Sequence, residues 1–244
     1  WIHTLAEPSM SFLRPIVAIG LLASFTCAQA SPELKAIQAK VDSLAAELKM
    51  LERILSSKGL DVEQARRSLA KQDSTFDIPV AGTPILGDAK APVTVVLFTD
   101  LQCPYCAQMA PILKGLQEQS PKTLKISFRH FPLVSIHDKA MNAHQALWAA
   151  NRQGKFWPYF DKVTPLFRGL SDSTLVATAT ELKLDLAKFN ADRKSDAARE
   201  NVEADMRLGE KVGVEGTPSL YLNGKPTRNP GEIKAAIEAA EAKK

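Results

Sequence analysis

The sequence predicts an α/β domain whose strands lie at both ends of the domain and enclose a block of helices, with a separate helix in front. Two β-rich, largely apolar runs, 93–98 and 124–131, come first, and a shorter one at 218–222 comes near the end. The first run is typical of a central strand buried on both faces. Between the second and third runs, apolar residues recur at helical spacing. This order indicates one sheet assembled from distant parts of the chain.

Local residue types predict the single elements. Ile78-Pro79-Val80 indicates an edge strand, where a missing N–H is tolerated. A helix is expected from Cys103 to about Gln119, and Asn223-Gly224 indicates a turn after the last strand. The other helices, recognised by the spacing of their apolar residues, are expected at Lys139–Ala150, Pro158–Leu166, Thr174–Leu182, Ala197–Val212 and Pro230–Ala242. The aromatic residues Phe156, Trp157, Tyr159 and Phe160 are expected in the core of this helical block.

The first thirty residues have the pattern of a secretory signal peptide. Met10 is the expected start, Arg14 supplies the basic region, and an apolar stretch from Ile16 to Phe25 follows. Ala28-Gln29-Ala30 matches the small-residue cleavage site, so the mature chain is expected to begin at Ser31. The apolar stretch is too short for a bilayer span. We therefore predict an exported protein.

Residues 31–75 are expected to form an oligomerisation helix and a linker. From Pro32 to Ser57 the apolar residues alternate at three- and four-residue spacing, the pattern of a coiled-coil seam. The alternative is an amphipathic helix that packs on its own domain. The flanking charges leave the number and orientation of the chains open. The seam consists of Leu34, Ile37, Val41, Leu44, Leu48, Leu51 and Leu55.

The motif Cys103-Pro104-Tyr105-Cys106 directly follows the first apolar run. Two cysteines at this spacing, where a buried strand turns into a helix, predict a redox-active dithiol. The helix N-terminus carries roughly half a positive charge, which stabilises the thiolate of the first cysteine. Pro104 suits the first helical position because its missing N–H would have no partner there. Cys27 lies in the predicted signal peptide, so Cys103 and Cys106 are the expected thiols of the mature chain.

Other functions of this motif fit the sequence less well. A c-type haem attachment site needs a histidine after the second cysteine, and position 107 is alanine. A zinc site needs two more ligands, and His130, His137 and His144 are seven residues apart, which does not match the usual pair spacing. We expect these histidines to be surface or packing residues and predict no metal and no cofactor. The formal charge of +4 is spread along the chain, which gives no indication of nucleic-acid binding.

Over residues 76–243 the chain resembles DsbA-like thiol:disulfide interchange proteins. The similarity rests on Phe98 to Cys106, Phe131-Pro132-Leu133, Gly154 to Trp157, and Val214-Glu215-Gly216-Thr217-Pro218. It implies a thioredoxin-like fold over 76–244 with a helical insertion at about 135–212. It also implies that Cys103 is the nucleophile and Cys106 the resolving thiol. The bond Thr217–Pro218 is implied to be cis and to face the dithiol, where the Thr217 main chain would pair with substrate. The expected substrate-binding residues are Pro104, Tyr105, Thr217 and Pro218.

The chain departs from the family pattern at one position. Thioredoxin-like proteins commonly bury a carboxylate six residues before the first cysteine, and this chain has Leu97 there. The acid that would help deprotonate Cys106 is therefore missing, or its role passes to Asp100 or to a water. Asp100 is equally suited to be a turn or capping residue. Between the cysteines, Pro-Tyr lacks the histidine of Pro-His proteins. We therefore expect a less extreme oxidant.

The resemblance leaves two classes of function open. The first is a periplasmic enzyme that exchanges disulfides of exported proteins as isomerase, reductase or monomeric oxidase. Its expected partners are disulfide-containing secreted proteins, a membrane redox partner and further copies of this chain. The second class is a binding protein whose thiolates capture Cu(I), which prefers sulfur ligands. The predicted helix from Pro32 to Ser57 is called the stalk below. A chain with such a stalk before a domain of this kind resembles the periplasmic disulfide isomerases and the suppressor-of-copper-sensitivity branch.

Overall fold

The strand β2 (Val93–Thr99) occupies the centre of the sheet in the computed structural model, which describes residues 32–62 and 74–243. It pairs in parallel with β3 (Leu124–His130) and antiparallel with β4 (Ser219–Leu222). The edge strands are β1 (Ile85–Leu86), next to β3, and β5 (Lys225–Thr227), next to β4. The strand order is therefore β1-β3-β2-β4-β5. Five consecutive residues of β2, from Val95 to Thr99, are buried, as the apolar run predicted.

The chain divides into two compact units, the first ending at Leu60 and the second beginning at Asp61. The first contains α1 (Pro32–Ser57), with the predicted bounds. None of the residues of α1 is buried, and its seam residues are between 40% and 60% exposed. The predicted leader at 1–30 lies outside the described residues, as do residues 63–73 of the predicted linker. The described part of the chain has no helix with the length and apolarity of a membrane span.

In the second unit, α2 (Pro104–Gln119) connects β2 to β3, and five helices lie between β3 and β4. These are α3 (Ala140–Asn151), α4 (Phe156–Val163), α5 (Asp172–Glu181), α6 (Leu186–Arg193) and α7 (Asp196–Lys211), with a 3-10 turn at Thr164–Leu166 after α4. A last helix, α8 (Pro230–Glu241), follows β5. This is the predicted thioredoxin-like α/β fold with its inserted helices. The insertion shares an apolar core with Leu101 and with Phe128 of β3. Of the predicted core aromatics, Phe156, Tyr159 and Phe160 are buried in it, and Trp157 packs against it partly buried.

The prediction of an edge strand at Ile78–Val80 is wrong. That segment has no strand pairing, and the edge position beside β3 is taken by Ile85 and Leu86. Trp157 of α4 donates its indole N–H to the Ile85 carbonyl at 2.8 Å, so the inserted helices hold this short strand in place. Helix α6 and strand β5 were not predicted from the sequence. The hairpin from β4 to β5 turns at Asn223 and Gly224, both with positive φ, which is the geometry that tight hairpins prefer.

Candidate active site

The two cysteines lie where β2 ends and α2 begins. Cys103 is the residue before the first turn of α2, and Pro104 occupies the first helical position, as predicted. Both cysteines are free thiols and nearly buried, with 4% of Cys103 and 2% of Cys106 exposed. Tyr105, between them, is 68% exposed. The motif therefore presents one aromatic side chain to solvent beside a shielded pair of sulfurs.

The pKa of Cys103 is lowered from 9.0 to about 5. The largest cause is the hydrogen bond from the Cys106 thiol, which stabilises the Cys103 thiolate, while burial acts in the opposite direction. The backbone N–H groups of Cys106 and Tyr105 at the start of α2 lower the pKa further. The Cys103 sulfur itself makes no capping hydrogen bond of ordinary geometry. At neutral pH Cys103 is a thiolate.

The pKa of Cys106 is raised instead. Burial is the largest cause, and donation of its proton to Cys103 is the second. The N–H of Asp100 donates to the Cys106 sulfur at 3.4 Å and works against this rise. The pair thus consists of one thiolate and one thiol that share a proton. This asymmetry suits an attacking sulfur in front and a resolving sulfur behind it.

The loop before β4 faces the dithiol. The bond Thr217–Pro218 is cis, as the resemblance implied. In its protonated form, Cys103 donates its S–H to the Thr217 carbonyl at 3.4 Å. The hydroxyl of Thr217 is buried and makes no hydrogen bond of ordinary geometry, although it lies near enough to both sulfurs to lower their pKa values. The structure therefore brings Thr217 and Pro218 to the cysteines, which lie more than a hundred residues earlier in the chain.

Two open grooves flank the start of α2. One, of about 530 Å³, contains the expected substrate-binding residues Tyr105, Thr217 and Pro218. Its other lining residues are Gln108, Met109, Ile112, Leu220, Thr227 and Arg228. Pro104 lies in the second groove, of about 450 Å³, between α2 and the segment from α4 to Phe167. Only three of the four expected substrate-binding residues therefore share one groove.

Leu97 is buried in β2 and provides no acid beneath the cysteines. Asp100 is fully buried, but its carboxylate contacts other groups. One oxygen accepts the N–H of Gln102 at 2.7 Å, and the other accepts the N–H of Leu133 and Nδ1 of His137, both at 2.7 Å. Asp100 is thus a turn residue whose backbone, not its carboxylate, reaches Cys106.

The contacts of the histidines differ from the surface or packing positions expected from the sequence. His144 accepts the N–H of Leu101 at 3.2 Å, and its other ring nitrogen contacts His130. Their seven-residue spacing carries no signal for this network, because it depends on where α3 packs beside the end of β3. Within residues 32–62 and 74–243, no three potential ligands among His, Cys, Asp and Glu cluster as a metal site would require.

Residues 80–239 match a protein-family model described as thioredoxin. Among curated proteins, the chain is 30% identical over 189 residues to the Na(+)/H(+) antiporter NhaA 3 of Salinispora tropica. The match covers 76% of this chain but only 29% of that antiporter, so the chain spans less than a third of this relative. Ion transport is a property of that longer protein, of which this chain matches less than a third.

Solved structures share the fold. The thioredoxin-like oxidoreductase of Silicibacter pomeroyi is 25% identical with a TM-score of 0.58, covering 66% of this chain and 94% of that one. Oxidised BdbD of Bacillus subtilis is 27% identical with a TM-score of 0.58, covering 68% and 96%. The catalytic domain of Proteus mirabilis ScsC is 19% identical with a TM-score of 0.57, covering 72% and 98%, a likeness of fold alone. These matches confirm the resemblance to DsbA-like proteins.

Proposed function

This chain belongs to the thioredoxin family, and we propose that it is a periplasmic thiol:disulfide oxidoreductase that isomerises or reduces disulfides of exported proteins. The observation that carries the proposal is the unequal thiol pair at the start of α2. Cys103 has a pKa of about 5 and faces the Thr217 carbonyl, while Cys106 lies behind it as a buried thiol. The periplasmic location is supported by the leader-like residues 10–30, which lie outside the described part of the chain.

Cys103 is the proposed nucleophile. Its thiolate attacks one sulfur of a substrate disulfide, a mixed disulfide forms, and the other substrate sulfur leaves as a thiolate. In isomerisation, a substrate thiolate then attacks the mixed disulfide and releases Cys103, without net oxidation. A thiol of low pKa is a good leaving group, so the lowered pKa of Cys103 favours this release.

Cys106 is the proposed resolving thiol in reduction. It attacks the Cys103 sulfur of the mixed disulfide, the Cys103–Cys106 bond forms, and the substrate departs with the proton that Cys106 loses. Two electrons pass from the cysteine pair to the substrate, and the membrane redox partner would restore the dithiol. Replacing Cys103 with Ser should abolish exchange, whereas Cys106→Ser should accumulate mixed disulfides.

The groove beside the cysteines is the proposed substrate site. Tyr105 is exposed at its edge, and the Thr217 main chain lies within reach of Cys103, where an extended peptide could pair with it. Pro218 would support the peptide from the same loop, and Pro104 would contact it at the start of α2. Such a site would bind the main chain and the apolar side chains of a substrate. This suits an enzyme that accepts many partly folded proteins.

The stalk is proposed to bring several such domains together. Helix α1 exposes a continuous apolar seam along its 26 residues, and a second copy of the chain would cover it. Linked domains supply several binding faces at high effective concentration while a substrate rearranges. Assembly is proposed to separate an isomerase from an oxidase in such a protein, and a truncation tests this.

The deciding experiment compares the mature chain with a form that lacks residues 31–59. The intact protein should be an oligomer and should refold a scrambled multi-disulfide substrate. The truncated form should be a monomer that still reduces insulin but has lost most of its isomerase activity. Equal isomerisation by both forms, or a monomeric intact protein, would favour the monomeric DsbA-type oxidase. Binding of Cu(I) without turnover on any protein disulfide would favour the copper-binding alternative.

A further inference from the structure

The turn at residues 100–102, directly before Cys103, is held by the segment that enters the inserted helices. Asp100 binds the Leu133 N–H and His137 through its carboxylate. Leu101 donates its N–H to His144. The Gln102 side chain accepts the N–H of Lys139 at 2.8 Å and donates to Asp138 at 3.3 Å. All three residues of the turn therefore depend on residues 133–144.

Asp100 also contacts both cysteines through its backbone. Its N–H donates to the Cys106 sulfur at 3.4 Å, and its carbonyl accepts the N–H of Cys103 at 3.2 Å. A shift of this one residue would therefore change the surroundings of both sulfurs. The Cys106 contact is the more consequential, because Cys106 is buried and has no carboxylate beneath it at Leu97. An N–H donor there stabilises negative charge on its sulfur.

The carboxylate of Asp100 needs the donors around it. A buried ionised group is costly unless hydrogen bonds compensate it. The three groups that compensate it are the N–H of Gln102, the N–H of Leu133 and the His137 ring. Of these, only His137 is a side chain, and it is 17% exposed, so it can be replaced with little loss of core packing. The hydrogen bond from His137 is therefore the one contact of the Asp100 carboxylate that a side-chain substitution at the donor can remove.

From these contacts, and resting on the proposed function, we infer that Asp100 and His137 are positioning residues for the resolving step. Together they hold the Asp100 N–H against the Cys106 sulfur. In that step Cys106 loses its proton, its sulfur bonds to Cys103, the bond from Cys103 to the substrate breaks, and the substrate leaves as a thiol. The N–H stabilises the Cys106 thiolate as it forms. Formation of the mixed disulfide by Cys103 does not require this contact.

Two variants of His137 isolate the hydrogen bond. His137→Leu places a carbon where Nδ1 lies, so the donor is lost while much of the volume stays. His137→Asn places an amide nitrogen the same number of bonds from Cβ as Nδ1, so a donor to Asp100 is kept. Asp138→Asn serves as the control for charge, because it removes a carboxylate from the same segment but keeps an acceptor for Gln102.

Single-turnover kinetics with a fluorescent peptide disulfide, followed in the full mature protein, separates the two steps. His137→Leu should slow resolution by about tenfold, the lower end of what a hydrogen bond to a charged group contributes. Formation of the mixed disulfide should change less than about twofold. His137→Asn should restore resolution to within about twofold of the wild type, and Asp138→Asn should leave both steps unchanged.

The outcomes separate the inference from the proposed function. Resolution at the wild-type rate in folded His137→Leu, or equal slowing of both steps, would overturn the inference. A wild-type protein that forms no mixed disulfide would overturn the proposed function instead. If His137→Leu does not fold, Asp100→Asn decides by the same criteria, because asparagine keeps one oxygen for the Gln102 N–H and loses the acceptor that His137 shares with the Leu133 N–H.

Discussion

The imidazole rings of His130 and His144 are joined Nδ1 to Nδ1 at 2.8 Å inside the protein. The other nitrogen of His144 accepts the N–H of Leu101, so the proton of neutral His144 must lie on Nδ1. His130 then accepts it and carries its own proton on Nε2. Protonation of His144 would break its bond to Leu101, directly beside the active-site turn. The pair therefore supports the site only while both rings are neutral.

Stability should fall in mild acid because of this pair. Burial is the main cause that lowers the pKa of His130 to about 4 and also lowers the pKa of His144. The unfolded chain binds protons at these rings below pH 6.5 and the folded chain does not, so stability is lost as pH falls from about 6.5 toward 4. Urea unfolding of the oxidised protein, in which the cysteines do not titrate, measures this. His144→Gln should flatten the slope; an unchanged slope would contradict the role of the pair.

The Cys103 thiolate should be visible as a titration near pH 5 in the absorbance of the reduced protein at 240 nm, a wavelength at which thiolates absorb. Only Cys103 should react quickly with iodoacetamide in mild acid, because the pKa of Cys106 is raised. Cys106→Ala should move the midpoint upward, since the Cys106 thiol is the largest cause of the lowered value. A midpoint close to 9 in the wild type would contradict an activated thiol.

The same pKa shift predicts a second dependence of stability on pH. A lowered thiol pKa stabilises the folded reduced protein above about pH 9, and this contribution disappears as pH falls to about 5. The difference in the free energy of unfolding between the reduced wild type and Cys103→Ser should therefore shrink from pH 8 to pH 5. A difference that is constant over this range would show that the thiolate does not contribute.

Gly209 of α7 is predicted to tolerate no side chain. A Cβ there would lie 2.6 Å from ring atoms of Phe131 and 3.2 Å from Phe98. Gly209→Ala should lower the free energy of unfolding by about 1–3 kcal/mol, as overpacking of a core does. Gly115→Ala in α2 is the matched control, because its Cβ would meet nothing within 4 Å. It should raise stability by about 0.5–1 kcal/mol through helix propensity. Equal effects at both positions would contradict the steric explanation.

Asp205 of α7 is predicted to anchor the insertion to β3. Its carboxylate binds Arg129 at 2.6 Å and the backbone N–H of His130 at 2.9 Å, and both side chains of the ion pair are nearly buried. Asp205→Ala should cost about 3–5 kcal/mol of stability, because it leaves the Arg129 charge uncompensated. Glu200→Ala, which breaks an exposed pair with Arg207 in the same helix, should cost less than about 1 kcal/mol. Similar losses in the two variants would argue against the anchor.

Two negative charges introduced into the seam of α1 should dissociate the proposed oligomer into single chains. Leu44 and Leu48 are 53% and 56% exposed, so Leu44→Glu with Leu48→Glu changes two half-exposed side chains of the seam and no buried one. The mass in solution should drop to that of one chain, while insulin reduction and the melting temperature of the catalytic domain stay the same. Glu47→Gln, also in α1, serves as a control that should not dissociate the protein. An unchanged mass in the double variant would contradict the seam.

The sequence by itself determined the elements whose signals are local. The bounds of α1 follow from its apolar spacing, the start of α2 from Pro104 after Cys103, and the hairpin turn from Asn223-Gly224. The low pKa of Cys103 also has a largely local origin, because its causes include the Cys106 thiol and the N–H groups of Tyr105 and Cys106.

Only the tertiary structure decided what surrounds the cysteines. Asp100 reaches His137 across 37 positions and His130 meets His144 across 14, while Cys103 meets Thr217 across 114. Such contacts depend on how the ends of β2 and β3 meet the start of α3 and the loop before β4. The false strand at Ile78–Val80 has the same explanation, because a β-rich run becomes a strand only where a neighbour offers a free edge, and Ile85–Leu86 occupies the edge of β3.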